Sequence, residues 1–300
     1  MNQPPHGSEP EPLPITGILL MIASMFAFAT MDGVSKMLVQ TYSVPQLFLV
    51  RYCVFIFFAL WVCRRIGVRA ALISQRPRLQ IARAIVLLVE GFFFVWSFRY
   101  LGLAETHAIA AAAPLLVTVL AAAVLAERVG LHRWLAVAAG FIGALVIIRP
   151  GLGGMSWPVL LPLGATITYA VMQIQTRILG KVDEGQVTIF YTAVVGLAIM
   201  IVVGPFFWTW PASELMVRDL GLMALVGVLS ATAHSLLILA YRRAQASVLS
   251  PHGYFLLAWA AVIGLVAFRE FPDAWTVAGA GIIVASGIYT FRRERRRKPT

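Results

Sequence analysis

Long apolar stretches separated by short polar segments make up most of the chain between Ile15 and Phe291. Ten of these stretches predict membrane-crossing helices: Ile15 to Val39, Pro45 to Cys63, Leu79 to Leu101, Thr106 to Ala126, His132 to Ile148, Trp157 to Leu179, Gln186 to Trp208, Leu220 to Tyr241, Ser247 to Phe268 and Trp275 to Phe291. A helix needs about 20 apolar residues to cross a bilayer. The runs are continuous and rich in Ala, Leu, Val and Gly, whereas the strands of a membrane barrel alternate apolar and polar positions. Backbone hydrogen bonds must therefore close within each segment. The pattern predicts an all-α membrane protein with ten transmembrane helices.

Composition supports that solvent. The chain of 300 residues is 60% hydrophobic and 12% charged, against about 25% charged in an ordinary soluble domain. Residues 1–14, with Pro4, Pro5, Pro12 and Pro14, have no basic region and lead into no cleavage site, so they are expected to be a disordered tail and not a signal peptide. Cys53 and Cys63 lie ten positions apart on one span without a His or acid cluster, which argues against both a disulfide and a metal site.

Charge orients the bundle. With the N-terminus cytoplasmic, Arg64, Arg65, Arg69, Arg76, Arg78, Arg83, Arg128, Arg133, Arg177, Lys181, Arg242, Arg243 and the terminal cluster all fall inside. Outside remain only Arg99, Arg149, Arg218 and Arg269, with Lys36 and Arg51 within or near spans. The bias predicts cytoplasmic termini. The net charge of +11 and the tail RRERRRKPT raise nucleic acid as a partner, but a basic cluster directly after a span is explained by topology and anionic lipid.

A shift of 141 positions pairs Ala29, Met31, Lys36 and Leu38 with Ala170, Met172, Arg177 and Leu179, Tyr100 with Tyr241, Trp134 with Trp275, and Gly140 with Gly281. Matches at one offset across a whole half indicate duplication. Five spans per copy is an odd number, so the copies must lie inverted in the membrane, which is a transporter layout. The expected organisation is a first repeat over 15–149, a linker over 150–156, a second repeat over 157–291 and a basic cytoplasmic tail over 292–300.

The stretches DGVSKML, PQLFLVRY and AAAPLLVTVLAAAVLAERVGLHRW, with Glu127 closing the fourth span, resemble an EamA repeat of the drug/metabolite transporter superfamily. The second half offers ASVLSPHGYFLLAWAAVIGLVAFREFPDAW, with Glu270 in the matching place, and VAGAGIIVASG. The resemblance implies ten helices, cytoplasmic termini and a central cavity between two five-helix halves. Similar members include YddG-like amino-acid exporters as well as carriers that take up riboflavin or S-adenosylmethionine, so it fixes neither substrate nor direction.

Charges inside so apolar a chain are the candidates for chemistry, because they are costly in lipid unless paired or wetted. Asp32 and Lys36 stand one helical turn apart with Arg51 at a similar depth, either as a structural ion pair with a snorkelling lysine or as an outer gate. Glu90, in the middle of the third span, shares a face with Phe94 and Ser97 and is a candidate for proton coupling or for binding a substrate amine. His234 in the eighth span, Tyr169 and Gln173 in the sixth, and Tyr254 complete the candidate cavity wall. Pro114 and Pro251 are expected to loosen their helices. The fifth and tenth spans, rich in Gly and Ala, read as scaffold or as a dimer seam.

These readings predict an inner-membrane secondary carrier for a small polar metabolite, foremost an amino acid and in the export direction, working by alternating access. No cofactor or metal is expected; the partners are the substrate, the bilayer and at most a weakly associated second copy. Two alternatives stay open: uptake of a larger solute such as riboflavin, a nucleoside derivative or S-adenosylmethionine, and an intramembrane enzyme. No catalytic motif supports the latter.

Overall fold

The computed structural model describes residues 15–126, 129–149, 157–244 and 246–297. The expected tail over 1–14, Glu127 and the linker over 150–156 lie outside the described residues. Helices α1 (Ile15–Val39), α2 (Val44–Cys63), α3 (Val68–Ala71), α4 (Pro77–Ser97), α5 (Leu103–Ala110), α6 (Ala113–Val124) and α7 (Leu131–Ile148) form the first half. The second half contains α8 (Leu160–Leu179), α9 (Gly185–Val203), α10 (Met216–Arg243), α11 (Ala246–Leu249), α12 (Phe255–Phe268) and α13 (Ala274–Arg297). Among the described residues there is no strand.

Seven segments are long and apolar enough to cross a membrane: α1, α2, α4, the α5–α6 stretch, α8 with the 3₁₀ turn before it, α9 with the 3₁₀ turn after it, and α10. The remaining three expected spans are shorter apolar helices, Trp134–Ile148, His252–Phe268 and Ala274–Thr290. Two expected spans are broken, and proline accounts for both breaks. The fourth divides at Ala111 and Ala112, just before Pro114, which has no N–H to give and whose ring would collide with the carbonyl four residues earlier. The ninth divides into α11, a 3₁₀ turn over Ser250–Tyr254 that includes Pro251, and α12. Elsewhere local chemistry sets the ends cleanly: Ser43 caps α2 by accepting the Gln46 N–H at 3.2 Å, with Pro45 in the first turn.

Packing runs mainly between the halves. α1 packs on α10 and α4 on α8; α1 also meets α12 and α6 meets α8; α2 meets α10 and α9 meets α4; and α2–α9, α5–α12 and α7–α13 each form one further pair. The main apolar core joins α1, α2, α4, α9 and α10, while outward-facing Phe57, Phe141, Ile201 and Val266 are the surface a bilayer would cover.

The Gly- and Ala-rich faces of α7 and α13 favour the scaffold branch of the expectation for the fifth and tenth spans. A Cβ on Gly279 would sit 2.4 Å from the Gly143 carbonyl oxygen, and one on Gly143 would sit 2.7 Å from that of Gly279. The backbones meet because neither residue has a side chain. Those glycines are used within the chain, so they are not free to form a seam with a second copy. Arg83 corrects an expectation: it lies in α4, inside the bundle, and not with the basic residues of the adjoining polar segment.

Candidate functional site

A cavity of about 130 Å³ opens between α2, α4, α9 and α10, two helices from each half. Side chains at helical spacing on α2 supply Phe48, Arg51, Tyr52 and Phe55, and α4 supplies Arg83, Leu87, Glu90 and Gly91. Thr188, Ile189 and Thr192 of α9 and His234 of α10 close it.

Its polar groups are held unequally. Each nitrogen of the Arg83 guanidinium has a partner: Nε donates to Thr176 Oγ1 at 2.7 Å, Nη1 to Thr192 Oγ1 at 2.8 Å, and Nη2 lies 3.5 Å from Met172 Sδ. Arg51 gives a hydrogen bond from Nη2 to Ser230 Oγ at 3.1 Å and stands over the Phe48 ring at 5.5 Å. Its guanidinium makes no other hydrogen bond among the described residues, and Arg51 lines the cavity. Arg51 and Glu90, of opposite charge type, line the same space. His234 Nδ1 lies 2.8 Å from the Ser230 carbonyl, which can only accept, so Nδ1 carries the proton. The imidazole is boxed edge-on by Phe28 and Phe55.

A second group of charges gathers where the ends of α1, α5, α12 and α13 meet. Lys36 Nζ lies 2.8 Å from Glu270 Oε1 and donates to the Leu101 carbonyl at 2.8 Å. Asp32 Oδ2 is 3.2 Å from His107 Nε2, and both side chains are buried. Arg149 Nη2 meets Asp273 Oδ2 at 2.6 Å. Both Arg149 and Arg269 adopt left-handed backbone at the ends of α7 and α12, and the second of these turns lets the Glu270 N–H reach the Gly264 carbonyl at 2.9 Å. The same end of the bundle is tied by Tyr42, whose hydroxyl donates to Asp219 Oδ2 at 2.5 Å, and by Gln46, which exchanges hydrogen bonds with the backbone of Thr209. Burial, and then the bond to Asp219, push the Tyr42 hydroxyl up to about 12. At the opposite end, Asp183 between α8 and α9 accepts from Ser74 Oγ, the Gln75 N–H and Gln80 Nε2.

The structure therefore distributes the residues singled out by sequence over several places. Glu90 and His234 line the cavity, and so does Arg51, which joins them and not Asp32 and Lys36. Asp32 and Lys36 do not neutralise each other along α1; each reaches a partner on a later helix or turn. Tyr169 and Gln173 bond to one another at 2.7 Å on α8, outside the cavity lining. Phe94 packs edge-on against His107 at 5.1 Å, with the second charged group. Tyr254 lies against α13, where a Cβ on Gly287 would strike its hydroxyl. Sequence reasoning missed Arg83, Thr188, Thr192 and Tyr52. A signal for Arg83 existed, since it falls four positions inside the expected third span; hydroxyls and a tyrosine in apolar runs carry none.

The EamA-like transporter family matches residues 15–149, the first of the two expected repeats. A riboflavin transporter of Vibrio cholerae is 26% identical over 276 residues, spanning 91% of this chain and 92% of that one. An S-adenosylmethionine uptake transporter of Rickettsia prowazekii is 25% identical over 226 residues, 75% of this chain and 76% of that one. A pseudopaline exporter of Pseudomonas aeruginosa is 23% identical over 281 residues, 93% and 97% of the two chains. A solved crystal structure superposes with a TM-score of 0.56 at 16% identity over 95% of this chain and 97% of that one, a likeness of fold alone. The family match and the transporter names of these relatives indicate a transporter and not an enzyme.

Proposed function

We propose that the protein is a secondary carrier of the inner membrane that moves a small polar metabolite, an amino acid in the first instance, by alternating access between two inverted halves. The observation that carries this reading is the cavity itself: charged side chains of both signs face one space enclosed by two helices from each half. A zwitterion presents both signs, and charges at membrane depth persist where they meet each other, water or a ligand. The exchanged packing pairs, α1 with α10 against α4 with α8, and α1 with α12 against α6 with α8, are what an inverted repeat predicts.

In this reading the basic ends of the chain are cytoplasmic, and the Lys36–Glu270, Asp32–His107 and Arg149–Asp273 contacts form the outer gate, which must part for the cavity to open outward. Export is the direction proposed; relatives named for uptake and for export accompany it, and exchange assays detect either. The cavity volume favours a small solute over a flavin, because pockets for drug-sized ligands measure roughly 300–1,000 Å³. The test is counterflow: proteoliposomes preloaded with unlabelled amino acids, riboflavin or S-adenosylmethionine are presented with trace labelled solute. Saturable accumulation with amino acids is the expected result. Accumulation with riboflavin or S-adenosylmethionine alone replaces the substrate class, and none with any solute overturns the carrier.

A further inference from the structure

The cavity's charges do not balance. Two guanidinium groups, Arg51 and Arg83, line it against one carboxyl, Glu90. The next carboxylate toward the gate, Asp32, lies 3.2 Å from His107 Nε2 and is not among the residues that line the cavity. Arg83 bonds only hydroxyls and a thioether, which take one N–H from each of its nitrogens without cancelling its charge. His234 gives its Nδ1 proton to a carbonyl and supplies no anion. Excess positive charge at membrane depth is unfavourable until a counter-charge arrives. Arg51 is placed to receive it: it lines the cavity beside Phe48, gives one N–H to Ser230, and has no further hydrogen bond among the described residues, so the rest of its planar fork, the geometry that grips a carboxylate with two parallel bonds, is available.

We infer that the cavity takes a small organic anion carrying more carboxylates than amines, with a carboxylate seated on Arg51 and any amine turned toward Glu90. The inference rests on the carrier reading for its transport role, but not for its binding site. It separates the substrate of this chain from an uncharged flavin and from a cationic sulfonium. Phe48, Tyr52, Phe55 and Leu87 supply apolar wall for a short carbon skeleton.

Glutamate, succinate, glutamine and lysine test it at matched ionic strength, because glutamate and glutamine differ by one charge at nearly equal size. Thermal unfolding of the full chain in detergent should shift upward with glutamate and succinate and stay put with glutamine and lysine. Arg51→Gln should weaken the glutamate effect at least about tenfold, while Arg51→Lys, which keeps the charge and loses the fork, should retain part of it. A glutamine or lysine shift equal to that of glutamate overturns the inference; so does no shift with either dicarboxylate, or an Arg51→Gln protein that responds like wild type. If Arg51→Gln melts lower without ligand, the glutamate-to-glutamine ratio in wild type and in Arg51→Lys decides instead. Counterflow keeps the two readings apart. A glutamate shift without exchange of any solute leaves the anion site standing and removes the carrier, whereas exchange of a neutral solute without an anion shift does the reverse.

Discussion

Two groups of charges sit in this apolar bundle, and they are treated in opposite ways. Around Lys36 and Arg149 each charge has an opposite one within about ion-pair distance, contributed by the turn beside another helix, and Asp32 lies 3.2 Å from His107 Nε2. Around Arg51 and Arg83 the partners are hydroxyls, a thioether and a ring, and both arginines line one cavity with Glu90. Since both sets lie where charge is costly, the difference separates charges whose counter-charge the protein supplies, the completed side, from charges whose hydrogen-bond partners are uncharged, the open side. On the proposed reading the first kind holds elements together and the second receives a ligand.

The largest effect that would test this contrast is on the completed side. Glu270→Gln leaves the buried Lys36 ammonium with the Leu101 carbonyl and no counter-charge. Removing one partner of a buried pair costs about 3–5 kcal/mol; because the Glu270 side chain is 39% exposed, the expected loss falls below that range, about 2–3 kcal/mol. It would be read as a lowered unfolding midpoint in detergent. Replacing both residues, Lys36→Met with Glu270→Leu, should recover most of the loss, since the penalty belongs to the stranded charge. An unchanged midpoint in Glu270→Gln would remove the pair from the set of contacts that closes this end.

How far sequence reaches differs between the two groups for a physical reason. The spans, their polar interruptions and the breaks near Pro114 and Pro251 follow from local properties: apolar run length and a missing backbone N–H. Glu90 and His234 are visible because a titratable group in the middle of an apolar run is costly and therefore informative. Partnership is not local. Lys36 and Asp32 stand one turn apart on α1 and invite an i,i+4 pair, yet Lys36 is matched 234 positions later by Glu270 and Asp32 by His107 on α5. Arg51 lies only two helical turns of α2 beyond the loop, and only the packing of α2 on α10 shows that it faces Ser230 and the cavity. Thr188 and Thr192 matter as acceptors and as wall, roles that threonine in an apolar helix does not announce.

An intermediate effect lies at the other end of the bundle, outside the membrane. Burial raises the Asp183 carboxyl, but the bonds from Ser74, the Gln75 N–H and Gln80 outweigh it and hold the group below its ordinary value. A depressed folded-state pKa stabilises above the unfolded value of about 3.9 and ceases to do so as pH falls through the folded value. Stability linked to this contact should thus be full near neutral pH and fade only in strong acid. Asp183→Asn should lose about 1–2 kcal/mol at pH 7 and show a flatter acid limb in a melting series. An acid limb identical to that of wild type would mean the Asp183 contact does not hold α4 to the α8–α9 turn.

The smallest effect is the most discriminating for the open side. Ser230 is fully buried and its hydroxyl accepts from Arg51 at 3.1 Å, so Ser230→Ala removes one hydrogen bond worth about 1 kcal/mol. The Ser230 carbonyl that receives the His234 proton is backbone and stays. If Arg51 serves mainly to tie α2 to α10, Ser230→Ala and Arg51→Gln should lower stability together and leave solute exchange alike in both. If Arg51 receives a ligand carboxylate, the two substitutions diverge: Ser230→Ala releases the guanidinium to the cavity and changes half-saturation of exchange by no more than a few-fold, while Arg51→Gln abolishes exchange at the same solute concentration. Half-saturation and unfolding midpoint measured on both variants separate the two cases, because only a ligand-binding arginine makes the milder loss of stability and the complete loss of exchange belong to different residues.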